Sequence, residues 1–463
     1  MAIRTTQIPG LVVVDLAVHG DQRGWFKENW QRARMTEEGL PDFGPVQNNV
    51  SFNATTGVTR GLHAEPWDKL VSVAGGRVFG AWVDLREGDS FGAVVTLEIG
   101  PETAVFVPCG VANGFQTLEP ATSYSYLVNA HWSAERKKDY TFVNLADPTL
   151  AIAWPIPLEQ AERSQADRDH PVLADVAPMR ARPTLIVGAG GQLGRALAEA
   201  MPDAVAWTRA ELDLADPAAV AAVDWGRFGA VVNAAAHTAV DAAETPQGRA
   251  AAWATNVAGV GALVQACREH RLTLVHVSSD YVFDGTIDLH REDEPFSPLG
   301  VYGQTKAAGD ALVASLPRHY VVRTSWVVGE GKNFVSTMAM LADKGIEPSV
   351  VDDQHGRLTF TADLAAGITH LLTTGAPYGT YNLSNEGPVQ SWADIAADVF
   401  ALCGRERSAV HPVSAAEYGA GKDLAPRPTH SALDLTKIEA AGFTPRTAAD
   451  ALADYVGRSR TSA

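Results

Sequence analysis

The chain has 463 residues, 46% hydrophobic and 20% charged, with a formal charge of -17. At roughly 150 residues per domain the length predicts two to three globular units, and the acidic balance argues against a phosphate-neutralising surface and hence against nucleic acid. Cys109, Cys267 and Cys403 stand far apart, with no CxxC and no Cys/His spacing for a structural zinc, which fits reduced thiols in a cytoplasm.

In chain order, the opening MAIRTTQIPGLVVVDL lacks a charged leader, an apolar stretch and a small-residue cleavage site. No run is read as approaching the length of a membrane span, so a cytoplasmic protein without a membrane partner is expected. Up to about residue 145, short Val-, Phe- and Trp-rich runs alternate with Gly, Asp and Pro turns, as in KLVSVAGGRVFGAWVDLREGDSFG. Strands at this spacing predict an all-β barrel or sandwich. The polar stretch AERSQADRDHPVLADVAPMRARP then reads as the tail of a first unit running into a linker. We place the boundaries at 1–178, a linker at 179–182, and 183–463. From Pro183 apolar strands (TLIVGAG, AVVNAAAH, LVHVSSDYVF) are separated by Ala-rich stretches of helical period. That alternation predicts a parallel sheet covered by helices.

Chemistry-bearing residues fall in both halves. In TRGLHAEPWDKLVSV, His63 precedes Lys69 by six residues. A histidine inside a β-barrel is either a satisfied core residue or a proton-transfer group, and spacing alone does not choose. In TLIVGAGGQLGRALAEAM, Gly188, Gly191 and Gly194 lie between an apolar strand and a helix. This suits a pyrophosphate: the first glycine makes the tight turn, the second admits the diphosphate and the third lets helix and strand close up. Near the end of the next strand Arg209 stands where an acid would bind a free ribose 2′-hydroxyl, which hints at a 2′-phosphate. Tyr302 and Lys306 in YGQTK are four apart and share a helix face, so the ammonium lowers the phenol pKa and fits Tyr302 to protonate an alkoxide. Ser278 and Ser279 end a strand upstream and offer a hydroxyl to a substrate carbonyl.

Together, GAGGQLG, VVNAAAHTAVDAAE, VSSDYVFDG, YGQTKAAGD, VVRTSWVVGEGKNFVSTM, VDDQHGRLT and LAPRPTHSALDLTKI resemble the dTDP-4-dehydrorhamnose reductase family along almost all of residues 183–463. The resemblance implies a Rossmann fold of the extended short-chain dehydrogenase/reductase type with a small C-terminal substrate lobe. It also implies hydride transfer from NADPH or NADH to the C4 ketone of a dTDP-linked 6-deoxyhexose. By resemblance Tyr302 is the proton donor, Lys306 holds the ribose, and Ser279 replaces the usual threonine. Gln192, Leu193, Asp213, Leu214, Ala234 and Ala235 join the glycines and Arg209 around the cofactor. Asp280, Tyr281, Trp326 and Arg427 line the sugar-nucleotide pocket. Some family members hold magnesium through a Glu in the first helix; Ala196 stands there, so no metal is expected.

The first half resembles the dTDP-4-dehydrorhamnose 3,5-epimerase family through IPGLVVVDLAVHGDQRGWFKE, VQNNVSFN, TRGLH, KLVSV, VDLREGDSFG, VPCGVANGF, LADPTLAIAWPI and SQADRDHPVLADV. This implies a cupin-type jelly roll. Protons flanking a C4 ketone are acidified because the carbanion is an enolate, so inversion needs a base, a cation at the oxygen and an acid on the other face. By resemblance His63 is the base, Asp167 orients it and Lys69 meets the enolate oxygen. Arg23, Glu28, Gln47, Asn49 and Arg60 hold the nucleotide. Two positions depart from the family: Asn113 replaces a second histidine, and Trp132 replaces the acid tyrosine. Either Tyr126, Tyr140, His131 or a water substitutes, or one carbon alone is inverted, or this half has lost turnover. The resemblance further implies a homodimer through the β-domain.

Overall fold

A computed structural model describes residues 2–461, and the chain divides into two compact units, Met1–Ala181 and Arg182–Ala463. In the first, the alternating runs form strands β1 (Ile3–Thr5), β2 (Val12–Asp15), β3 (Val18–Asp21), β4 (Gly24–Lys27), β5 (Gln47–Asn53), β6 (Thr59–Ala64) and β7 (Lys69–Gly75). They continue as β8 (Val78–Asp84), β9 (Val94–Ile99), β10 (Thr103–Val107), β11 (Val111–Thr117), β12 (Thr122–Val128) and β13 (Thr141–Phe142). A six-stranded sheet runs β1-β2-β10-β7-β12-β5 and a five-stranded sheet β13-β6-β11-β8-β9. All their pairings are antiparallel. Inward side chains of both sheets interdigitate, Val71, Val73, Val105 and Tyr124 from one meeting Val78, Trp82, Val111 and Phe115 from the other. This is the jelly roll expected from the strand spacing.

β5 is an edge strand whose two faces differ. Asn48, Val50 and Phe52 are exposed, whereas Gln47, Asn49 and Ser51 are partly buried and Asn53 is buried. Successive strand residues point to opposite faces, so the second set looks into the sandwich. Tyr126 lies directly opposite Asn49 on one side and Val71 on the other. Register therefore turns the Tyr126 ring inward too.

The second unit carries the parallel sheet. β14 (Thr184–Val187), β15 (Val205–Trp207), β16 (Ala230–Asn233), β17 (Thr273–Ser279), β18 (His319–Thr324) and the strand Gly379–Asn382 lie in the order β15-β14-β16-β17-β18 followed by that last strand. Every neighbouring pair is parallel. The order reverses at β14, so the crevice between the carboxyl ends of β14 and β16 is the switch point at which such sheets bind ligands. A smaller lobe packs helices Phe334–Asp343, Trp392–Leu402 and Ala448–Thr461 around Val335, Met338, Ile395 and Phe400.

One expectation needs correcting. The continuous helical stretch Pro246–His270 is long and apolar enough to cross a membrane by length and composition. Its apolar side instead covers the sheet, where Val260, Leu263, Val264 and Cys267 join Leu185, Val231 and Leu274 in one core. Residues Ala254–Gly259 within it adopt a π-helix.

Candidate active sites

In the first unit a cavity of about 190 Å³ opens between the sheets, lined by Ser51, Arg60, His63, Glu65, Lys69, Asn113, Phe115, Tyr124 and Tyr126. His63 comes from β6 and Lys69 and Tyr126 from the facing sheet, so imidazole and phenol stand on opposite walls. His63 Nε2 lies 3.1 Å from Asp167 Oδ1. Asp167 is fixed in turn by Ser164, whose hydroxyl donates to Oδ2 at 2.8 Å. Burial pushes the Asp167 carboxyl up, but hydrogen bonds from His63 and Ser164 outweigh it and hold the group below the usual carboxylate range. The carboxylate is therefore charged, with the imidazole oriented by it.

Lys69 is almost fully buried, and its ammonium is paired with Glu65. Tyr124 donates its hydroxyl to Asn113 Oδ1 at 2.9 Å, while the Tyr126 phenol is raised first by burial, then by the Glu65 charge, against Arg60. Of the three side chains expected as substitutes for the acid, Tyr126 alone lines this cavity. Trp132 and His131 are exposed, and Tyr140 packs edge-on to Trp67 at 5.3 Å.

The residues expected to hold the nucleotide divide. Arg60 lines the cavity and donates Nε to Asn53 Oδ1 at 3.1 Å. Gln47 donates to Asn49 Oδ1 at 2.8 Å on the inward face of β5. Arg23 and Glu28 line no part of this cavity; Arg23 is exposed and paired with Asp21, and Glu28 is half-buried and paired with Arg34. Glu65 and His170 carry no signal in the sequence spacing. His170 stands edge-on to His63 at 5.4 Å and stacks on Phe142 at 4.7 Å.

In the second unit a cavity of about 280 Å³ sits at the switch point, lined by Gly188, Gly190, Gly191, Arg209, Leu212, Asp213, Leu214, Ala234, Ala235, Ala236, His237 and Thr255. The glycines have distinct steric reasons. Gly188 has φ +84°, and a Cβ there would lie 2.6 Å from Ala235 N; a Cβ on Gly194 would lie 2.2 Å from Gly188 O. Gly191 meets nothing closer than 3.4 Å, which leaves room above the N-terminus of helix Gln192–Ala200. This open cradle under a helix N-terminus fits a dinucleotide diphosphate. Gln192 donates to Lys332 O at 3.1 Å, Leu193 is buried in the core, and Arg209 is exposed at the rim, 3.0 Å from Asp213.

Helix Val301–Val313 presents Tyr302 and Lys306. Burial pushes the Tyr302 phenol up to about 12, partly offset by a hydrogen bond with Ser279. Burial pulls Lys306 down to about 8 despite Asp310. Lys306 Nζ donates to Val277 O at 2.7 Å, and His276 Nε2 lies 3.4 Å away. Ser279 donates to Asp280 Oδ1 at 2.8 Å; burial raises that carboxyl to about 6. The π-helix contributes a residue the sequence reading passed over. Asn256 accepts from His237 N at 2.8 Å and donates to Thr305 Oγ1 at 3.0 Å, tying the wall of the switch-point cavity to the Tyr302 helix.

A third cavity, about 420 Å³, is lined by Asp241, Tyr281, Phe334, Gln354, Trp392, Tyr418 and Arg427 among others. Tyr281 stands edge-on to Tyr302 at 5.6 Å, and Arg427 grips Asp241 at 2.8 and 2.9 Å. Trp326 does not line it; it stacks at 3.8 Å on Trp392, which does.

Fold and sites thus define an all-β unit built for proton transfer joined to a reductase of the extended short-chain dehydrogenase type. Comparison with known proteins gives the particular families. Residues 5–175 match the family described as dTDP-4-dehydrorhamnose 3,5-epimerase, and residues 182–461 the RmlD substrate binding domain. A protein RmlC homolog of Streptococcus pyogenes is 54% identical over 38% of this chain and 90% of its own. The dTDP-4-dehydrorhamnose reductase of Mycobacterium tuberculosis is 40% identical over 58% of this chain and 89% of its own. A crystal structure of the Bacillus anthracis reductase in complex with NADP is 32% identical, with TM-score 0.55, over 60% of this chain and 99% of that one. The chain belongs to both families, an epimerase and a reductase of dTDP-L-rhamnose biosynthesis fused in one polypeptide.

Proposed function

We propose that the first unit inverts C3 and C5 of dTDP-4-dehydro-6-deoxy-D-glucose and that the second reduces C4 of the product with NADPH, giving dTDP-L-rhamnose. The observation that carries this reading is that each unit brings together the groups its step needs. In the first, His63, backed by Asp167, faces Lys69 and Tyr126 across the cavity; in the second, Tyr302, hydrogen-bonded with Ser279 and sharing a helix with Lys306, stands against Tyr281 of the largest of the three cavities described.

In the epimerase unit His63 takes the proton beside the ketone, and Asp167 stabilises the imidazolium. Lys69 donates to the enolate oxygen. Tyr126, on the opposite wall, returns a proton to the other face, which supplies the acid that Trp132 does not. Arg60, Gln47 and Asn49 bind the nucleotide, with Arg23 and Glu28 reaching it from outside the cavity. In the reductase unit the nicotinamide supplies the hydride when bound. Ser279 donates to the substrate oxygen and Tyr302 protonates it. Lys306 stabilises the phenolate and binds the ribose. Gly188, Gly191, Gly194, Gln192 and Leu193 form the diphosphate turn; Asp213, Leu214, Ala234 and Ala235 flank the adenosine side. Arg209 at the rim favours the 2′-phosphate of NADPH. Asp280, Tyr281 and Arg427 hold the sugar nucleotide, with Trp326 supporting Trp392.

A homodimer through the β-domain also belongs to this reading. Val50 and Phe52 are 62% and 63% exposed on the edge strand, and Trp132, 56% exposed, donates its backbone N–H to Gln47 on the same strand.

The test is solvent exchange. Protein given the substrate in D2O without cofactor should place deuterium at both C3 and C5, and added NADPH should then be oxidised with no separate epimerase present. Exchange at one carbon would reduce the first unit to a single inversion. No exchange would leave it a binding or dimerisation module.

A further inference from the structure

Glu65 has no part in the proton transfers just described, yet its carboxylate is in the cavity where they occur. It directly follows β6 and lies two residues beyond His63, and its backbone carbonyl is anchored by Gly110 N–H at 3.2 Å. Its partner Lys69 rises from β7 in the facing sheet, so the pair links the two sheets at the cavity. The side chains of Lys69 and Glu65 are 3% and 13% exposed. An exposed four-residue ion pair would be worth little. This one is largely withdrawn from water at the point where an enolate would form.

A carboxylate beside a developing enolate is unfavourable unless its charge is committed elsewhere. Here it is committed to the ammonium. A lysine stem has four rotatable bonds, and an ammonium has three N–H donors. Holding one of them on Glu65 fixes the nitrogen and leaves the remaining two for an incoming oxygen.

We propose that Glu65 is a positioning residue of the epimerase site: it holds the Lys69 ammonium across the cavity from His63 and places a fixed negative charge beside Tyr126. The inference rests on the epimerase reading above. The groups facing the pair are Arg60 and His63 on the β6 side and Tyr124 and Tyr126 on β12. Tyr140 also feels the Glu65 charge. Burial raises the Tyr126 phenol first and the Glu65 charge raises it further, against Arg60. The carboxylate thereby keeps the phenol protonated, as a donor must be.

Glu65→Gln retains the shape and removes the charge; Glu65→Asp retains the charge and shortens the reach. Deuterium uptake by the full-length chain, without NADPH, is followed against pH for both and for wild type. The Gln variant should exchange about 10²-fold more slowly at saturating substrate, the loss expected when a reacting group is misplaced by about 1 Å. KM should change little. Its alkaline limb should move to lower pH, because the phenol ionises earlier without the neighbouring charge. The Asp variant should recover part of the rate and return the limb toward wild type. Reduction of independently epimerised substrate by the same variants should be unchanged, which controls for folding. Wild-type exchange in Glu65→Gln, or a slower exchange with an unmoved limb, overturns the proposal. Absence of exchange in wild type would instead defeat the epimerase reading, and this proposal with it.

Discussion

Lys306 is asked for two things that its surroundings set in opposition. In the proposed reduction its ammonium stabilises the Tyr302 phenolate, but burial favours its neutral form and brings it down to about 8 even with Asp310 nearby. The ammonium is present below that value and is lost as pH rises through it. The reductase should therefore show kcat/KM falling toward tenfold per unit on the alkaline side of about pH 8, since that parameter reports the free enzyme. A rate profile with pre-epimerised substrate checks this, and Lys306→Arg should push the limb out of the accessible range because a guanidinium stays charged. A wild-type profile flat to pH 10 would mean that Lys306 keeps its proton by some contact other than Asp310.

At the scale of elements, the turn opening the second unit depends on how closely a helix lies on a strand. A Cβ at Gly194 would stand 2.2 Å from Gly188 O and 2.6 Å from the Ala189 Cα, both backbone. Neither neighbour can rotate away, so Gly194→Ala should lift helix Gln192–Ala200 from β14. The expected cost is about 1–3 kcal/mol with a marked loss of NADPH affinity. Thermal melts and cofactor fluorescence titration measure the two effects, while deuterium exchange in the first unit should not change. The outer face of β5 makes a second case: Phe52→Asp should convert a dimer to monomers in sedimentation, because an ionised carboxyl is costly to bury unpaired. Such elements are also where legibility from sequence is uneven. Tyr302 and Lys306 could be paired on paper because a helix fixes what lies four residues away. Tyr126 could not be chosen over Tyr140 on paper, because its direction follows from its register opposite Asn49 and Val71. Glu65 and Asn256 were hidden for the same kind of reason: one matters through a lysine on the other sheet, the other through a π-helix that periodicity does not announce. The span-length helix was misjudged because its alanines look unremarkable until the sheet that it covers is known.

At the scale of the whole chain, fusion places two consecutive steps on one polypeptide, which raises the local concentration of an intermediate able to revert. Local concentration alone does not demand a closed passage between units. It makes a definite prediction for complementation. His63→Asn should stop deuterium exchange and leave reduction of supplied epimerised ketone intact; Tyr302→Phe should do the reverse, losing about 10²–10⁴-fold in reduction as a positioned acid is removed. Neither variant alone should oxidise NADPH at a useful rate from the un-epimerised substrate. Mixed in equal amounts they should do so, since a freely diffusing intermediate made on one chain can be reduced on another. The lag before cofactor oxidation should shorten as total protein is raised, and should exceed that of wild type at the same concentration of active sites. If the mixture stays inactive while each half-reaction tests normal, the intermediate does not leave the chain that made it, and the fusion would have to be read as a conduit.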